Sequence, residues 1–128
     1  MIKILLCDDE VFARDAMAKI IKRKGFDVLV ASNAEECIDL FKKQNPEVLF
    51  LDVLLPDLDG DNIHKYLKEI NKDVNIYYVT GSETVFTKQN AESLGAKGYL
   101  AKPVNMEELN KVLEDIRKNF GEGSESNN

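Results

Sequence analysis

Histidine, cysteine, basic charge and long apolar runs are all scarce in this chain, and each scarcity removes a class of function. His64 is the single histidine. It has no partner cluster for a metal or a catalytic dyad, and beside Ile63 and Leu67 it reads as a surface or boundary position of a helix. The two cysteines, Cys7 and Cys37, sit in apolar settings without CxxC spacing. They read as packing residues of a reduced, intracellular protein, and a redox pair is the weaker alternative. No apolar stretch approaches the ~18 residues of a membrane span. Met1-Ile2-Lys3 runs straight into a strand pattern without signal-peptide architecture, so the expected location is cytoplasmic, with no membrane partner. Lys and Arg number 17 against 23 Asp and Glu, a net charge of −6. That balance argues against direct nucleic acid binding by this domain, because gripping phosphates needs clustered cations.

What is present is an ordinary globular composition, 44% hydrophobic and 31% charged over 128 residues. One domain of this size buries roughly 65–70% of the surface its unfolded chain exposes, so it needs no disulfide or metal to fold. Apolar runs alternate with helical patterns. Strands are expected at 2–7, 26–31, 48–52, 74–80 and 97–101, the last one weak and edge-like. Helices are expected at 11–24, 34–43, 61–71, 83–94 and 106–119. In the first, Ala13, Ala16, Met17, Ile20 and Ile21 form the apolar stripe and Gly25 supplies the left-handed stop. Asn33 with Glu36, and Asn105 with Glu108, are capping-box patterns, and Val104 can staple onto Leu109. Leu109, Val112, Leu113, Ile116 and Phe120 give the last helix its buried stripe. The fourth segment has only Val85, Phe86, Ala91 and Leu94 as anchors, which suits either a surface helix or an element able to shift. Residues 1–120 form the domain, and 121–128, polar and acidic, read as a disordered tail or the start of a linker.

Strict alternation of strands and helices with short connections implies an α/β doubly wound five-stranded parallel sheet with five helices, flavodoxin-like, in the order 2-1-3-4-5. Ligands of such sheets bind at the carboxyl ends of the strands, where the order reverses. The strand ends carry Asp8-Asp9, Asp52, Thr80 and Lys102-Pro103. Two carboxylates ~4 Å apart repel by about 1 kcal/mol in water and about 4 kcal/mol at an effective dielectric of 20. Three of them call for a compensating charge, and a hard divalent cation such as Mg²⁺, with oxygen ligands and a phosphate, provides it. Lys102 then offers a point positive charge, and Thr80 a hydroxyl, for phosphoryl oxygens.

In order and spacing, Asp8-Asp9, Asp52, Thr80 and Lys102-Pro103 resemble the receiver domain of two-component response regulators. Leu51 to Gly60 resembles that family's phosphorylation loop. Receivers themselves exemplify the 2-1-3-4-5 order, so fold and resemblance are not independent. The resemblance implies that Asp52 is the phosphoacceptor, taking a phosphoryl group from a phosphohistidine of a sensor histidine kinase or phosphotransfer protein. It implies that Asp9 binds Mg²⁺ directly and Asp8 mostly through water, with Asp52 and the backbone carbonyl of Leu54 completing the shell. Thr80 and Lys102 would bind phosphoryl oxygens, Tyr99 would be the aromatic switch, and the Lys102–Pro103 peptide would be cis. Signalling would pass through the face of the fourth helix, fifth strand and fifth helix, either to a partner or by homodimerisation there. Such a domain is a signalling module rather than a turnover enzyme. Leu54 and Ser82 stand at the family's two lifetime-tuning positions, and the apolar Leu54, which offers an attacking water no hydrogen bond, implies slow to moderate self-dephosphorylation.

The rival reading is a phosphatase with an Asp nucleophile acting on small phosphoesters. Asp57-Leu58-Asp59-Gly60 resembles the DxDG start of such enzymes, but Pro56 stands where a strand should lead in and Asp61 replaces the usual Thr. An EF-hand loop fails at Asn62 and Lys68. A flavodoxin-type FMN site fails because Asp8-Asp9-Glu10 would repel the phosphate. Taken one at a time the motif residues have plain structural explanations, a helix N-cap for Asp8-Asp9 and a strand-end threonine for Thr80.

Overall fold

The computed structural model describes residues 1–52, 60–81, 93 and 95–120. Five parallel strands, β1 (Lys3–Cys7), β2 (Asp27–Ala31), β3 (Val48–Leu51), β4 (Asn75–Thr80) and β5 (Gly98–Ala101), lie in the order β2-β1-β3-β4-β5. Among the described residues the helices are α1 (Val11–Arg23), α2 (Ala34–Gln44), α3 (Gly60–Ile70) and α4 (Met106–Phe120). The last corresponds to the fifth expected helix. The fourth expected helix, 83–94, lies outside the described residues except for Ser93, as do the tail 121–128 and most of the 51–60 loop.

Strand alternation divides the core in two. Leu5, Cys7, Leu49, Leu51, Ile76 and Tyr78 face one layer, with Cys37 and Phe41 of α2 and Ile63 and Leu67 of α3 packed on them. Ile4, Leu6, Val48, Phe50, Tyr77 and Val79 face the other, under Ala18 and Ile21 of α1 and Leu109, Leu113 and Ile116 of α4. Burying each large aliphatic side chain contributes about 1.5–3 kcal/mol. Near-continuous apolar strands are what a sheet covered on both faces needs. No helix among the described residues is long and apolar enough to cross a membrane.

The expected caps form. Asn33 Oδ1 accepts from the Glu36 amide at 2.8 Å, and Glu36 reaches back to the Ser32 amide at 2.9 Å, one residue earlier than a standard capping box. Asn105 Oδ1 accepts from the amides of Glu107 and Glu108 at 2.8 and 3.2 Å. Val104 and Leu109 join the same core layer, as a hydrophobic staple requires. Gly25 adopts φ 97° after α1, and Asn45 closes α2 at φ 47°, a left-handed position that the sequence reading did not assign.

Two expectations need correction. Of the expected α1 stripe, Ile21 is buried and Met17 and Ile20 are partly covered, but Ala13 and Ala16 are exposed, and the second buried residue is Ala18. The reason is a cleft of about 520 Å³ between α1 and the segment 103–109, which leaves that side of α1 open toward Phe50 and Val79. His64 is not a boundary residue but buried, 2% exposed, and its Nδ1 lies 2.7 Å from the Tyr78 hydroxyl. That hydrogen bond offsets the desolvation cost of burying the imidazole.

At the other end of the cleft side, α4 is fastened to α1. The Arg117 guanidinium donates to the Lys24 carbonyl at the end of α1 and lies 4.6 Å from the centre of the Phe26 ring. Across β4 and β5, Gly98 makes room for Tyr77. A Cβ at position 98 would fall 2.7 Å from Tyr77 Cδ2, and the ring is backed by Phe50 with centroids 5.5 Å apart. Gly98→Ala should therefore destabilise the fold by about 1–3 kcal/mol through overpacking. Urea unfolding should show this as a lower midpoint with an unchanged slope.

Candidate functional site

The site is built by backbone amides that extend the ladder one residue past the strands. The Asp8 amide donates to the Ala31 carbonyl and the Asp52 amide to the Cys7 carbonyl, both at 3.0 Å. Each aspartate is thereby fixed at the carboxyl edge of the sheet while its side chain clears the pleat. The chain then turns sharply into α1, with Asp8 Oδ1 accepting from the Glu10 amide at 2.9 Å. The N-cap position of α1 is Glu10, whose side chain makes no capping bond, and Asp8 keeps its Oδ2 for the site. On the far side, Thr80 pairs with Ala101 in the β4–β5 register, and the next residue, Lys102, enters the site ahead of a cis Lys102–Pro103 peptide.

Lys102 Nζ lies 2.6 Å from Asp8 Oδ2, 2.7 Å from Glu10 Oε1 and 3.1 Å from Asp52 Oδ2. Asp8 and Asp52 are buried at 8% and 6% exposure, so the ammonium is their neutralising charge. Burial alone would lower the Lys102 pKa, but the hydrogen bonds that the ammonium donates to Asp8, Glu10 and Asp52 outweigh it and hold the amine well above its ordinary range. Through its hydrogen bond and charge, the same lysine draws the Glu10 carboxyl below its usual value.

Of the residues expected at the site, the fold brings Asp8, Asp52 and Lys102 together. Asp9 is exposed, and the carboxylates that converge among the described residues are Asp8, Glu10 and Asp52, one oxygen from each lying within 4.8 Å of the others. The donor set is all carboxylate oxygen around a single positive charge, which fits a hard divalent cation. Thr80 closes β4 at the same sheet edge. Tyr99 is half-buried and packs against the layer covered by α2 and α3. Leu54, Asp57, Asp59 and Ser82 lie outside the described residues.

Glu10 is the residue that sequence reasoning passed over. Its signal was the run Asp8-Asp9-Glu10, in which the third acid stands one residue before α1 and can turn back on the strand ends. Arg14 was also passed over. Its Nη1 donates to Ser32 Oγ at 2.6 Å, and it joins Ala13, Met17 and Met106 in lining the cleft beside the site. Beneath Asp8, Cys7 and Cys37 are buried free thiols, and burial pushes the Cys7 thiol up, with Cys37 at its side as the second cause.

The family model for the response regulator receiver domain matches residues 4–114. The chain belongs to that family. This receiver is 34% identical over 114 residues to the alkaline phosphatase synthesis transcriptional regulatory protein PhoP of Bacillus subtilis, an overlap of 89% of this chain and 48% of PhoP. It is 28% identical over 107 residues to sporulation initiation phosphotransferase F of the same organism, covering 84% of this chain and 86% of that protein. A two-component response regulator from Clostridium difficile shares the receiver's fold with a TM-score of 0.84 and 27% identity, over 92% of this chain and 97% of that one. The receiver spans about half the length of the curated transcriptional regulators it matches.

The charge cluster sets a pH signature. The Lys102 pKa is raised on folding, so the cluster's contribution is complete below pH 10.5 and is lost as pH rises beyond it. The Glu10 pKa is lowered, so its smaller, solvent-screened contribution is present above pH 4.5 and lost as pH falls through lower values. Urea midpoints of the wild type should fall as pH is raised past 10.5, and Lys102→Met should flatten that alkaline limb. Glu10→Gln should shrink that limb only in part, because Asp8 and Asp52 still hold the ammonium, and should soften the acid limb as well.

Proposed function

We propose that this receiver is a phosphorylation-dependent switch of a two-component phosphorelay, with Asp52 as the phosphoacceptor. The observation that carries the proposal is the convergence of Asp8, Asp52 and Lys102 at the carboxyl ends of β1, β3 and β5. Asp8, Asp9 and Asp52, with the Leu54 carbonyl, would hold Mg²⁺. When bound, Mg²⁺ supplies the positive charge that lets a carboxylate and an anionic phosphoryl group meet.

Asp52 attacks the phosphorus of a phosphohistidine carried by a sensor kinase or phosphotransfer protein. The P–N bond breaks, the imidazole leaves with its electron pair and takes a proton, and Asp52 becomes an aspartyl phosphate. Lys102 gives up its hydrogen bond to the attacking oxygen and donates to a phosphoryl oxygen, while the Thr80 hydroxyl donates to another. Phosphoryl transfer depends mainly on such positioning and on charge stabilisation, so few residues suffice. The added charge, roughly −1.5 to −2, draws Thr80 inward and allows the Tyr99 ring to follow. The response reaches partners, or a second copy, through the surface of the fourth expected helix, β5 and α4. Residues 1–120 constitute the switch, and 121–128 a tail or linker. The family match leaves the phosphatase alternative without support.

Acetyl phosphate with Mg²⁺ should label the protein to one phosphoryl group per chain, and Asp52→Asn should abolish the label, as read by intact mass. Sustained turnover of p-nitrophenyl phosphate would refute the switch reading. The aspartyl phosphate should outlast seconds in purified protein, because an apolar Leu54 offers an attacking water no hydrogen bond.

A further inference from the structure

Building on the reading that Asp52 is phosphorylated beside a divalent cation, we infer that Glu10 is a positioning residue for Lys102. It holds the ammonium at the rim of the site while a cation occupies Asp8 and Asp52. An ammonium has three N–H donors. Here three carboxylates engage it, with contacts of 2.6 Å to Asp8, 2.7 Å to Glu10 and 3.1 Å to Asp52. No donor is left over for a phosphoryl oxygen. The ammonium also stands between the oxygens that converge within 4.8 Å of one another, the ground a divalent cation would take. A divalent cation on the same two carboxylates would face the ammonium at close range, so the repulsion between the two positive charges weakens the hold of Asp8 and Asp52 on Lys102.

Glu10 differs from the other two carboxylates in a way that decides where the lysine goes. Its side chain is 63% exposed, whereas those of Asp8 and Asp52 are 12% and 8% exposed. An exposed carboxylate stays hydrated whether paired or not, and it lies outside the pair that ends β1 and β3. Its backbone is fixed by the bond from the Glu10 amide to Asp8 Oδ1 at 2.9 Å, so its carboxylate stays within reach of the site. Lys102 can therefore pivot onto Glu10 without leaving, and return when a phosphoryl group appears on Asp52.

The test is a Mg²⁺ titration of the intact chain, followed by calorimetry, in wild type, Glu10→Gln, Glu10→Asp, Lys102→Met and the Glu10→Gln/Lys102→Met pair. A tether depends on reach. Glu10→Asp keeps the charge but retracts it by one methylene, so it should weaken Mg²⁺ as Glu10→Gln does, by about three- to tenfold, the size of coupling expected for contacting residues. In the Lys102→Met background the Glu10→Gln effect should shrink to less than about twofold. Lys102→Met alone should tighten Mg²⁺, because the competing ammonium is gone. Wild-type affinity in Glu10→Asp, or a Glu10→Gln effect as large without Lys102 as with it, would overturn the tether and make Glu10 a plain field charge. Absence of Mg²⁺ binding in the wild type would instead overturn the cation reading beneath it. The Glu10→Asp arm stands even if Lys102→Met fails to fold, since Glu10 is exposed.

Discussion

One ammonium among three carboxylates is the interaction on which the edge of the sheet depends. Asp8 and Asp52 are buried side by side because β1 and β3 are neighbours and end in register. Without Lys102 the two charges would splay the strand ends, or one would bind a proton. Its stem is supplied from the opposite side of the switch point by β5, so a single lysine ties the first, third and fifth strands together. The layers above and below the sheet are apolar and general. The charge cluster is what makes this end of the sheet specific.

Much of this was readable from the chain. The five parallel strands follow from alternation of apolar runs with helical patterns, their order came with the family resemblance, and Asn33, Asn105 and Gly25 marked helix ends that the structure shows. Asp8, Asp52 and Lys102 were legible because each directly follows an apolar run, so sheet register alone brings them to one edge. The misses have separate causes. Arg14 and the open side of α1 depend on how α1 and α4 diverge, a tertiary fact with no local signal, whereas Glu10 had the run Asp8-Asp9-Glu10 to point to it but nothing to rank it above Asp9. His64 was misread because its partner, the Tyr78 hydroxyl, lies fourteen residues away in the next strand.

The opposite behaviour of the two acids at the start of α1 is instructive. Asp9 and Glu10 are adjacent and equally acidic, and residue type gives no reason to prefer one. The turn at Asp8 leaves Asp9 exposed and brings Glu10 back over the strand ends, where its longer side chain reaches the lysine. Backbone direction and side-chain length, rather than charge, separate the two roles.

The Arg117 contact gives the two helices on this face the mechanics of tweezers. They are joined at the end remote from the charge cluster, where a guanidinium grips the last turn of α1 and the Phe26 ring. They part at the end beside the cluster, where the cleft opens. A force that spreads the jaws at Met17 and Met106 has its fulcrum at Arg117, and the lever arm is nearly the length of α4. Both helices are also seated on the sheet through Ala18, Ile21, Leu109, Leu113 and Ile116, so widening the mouth has to work against that packing as well as against the arginine contact.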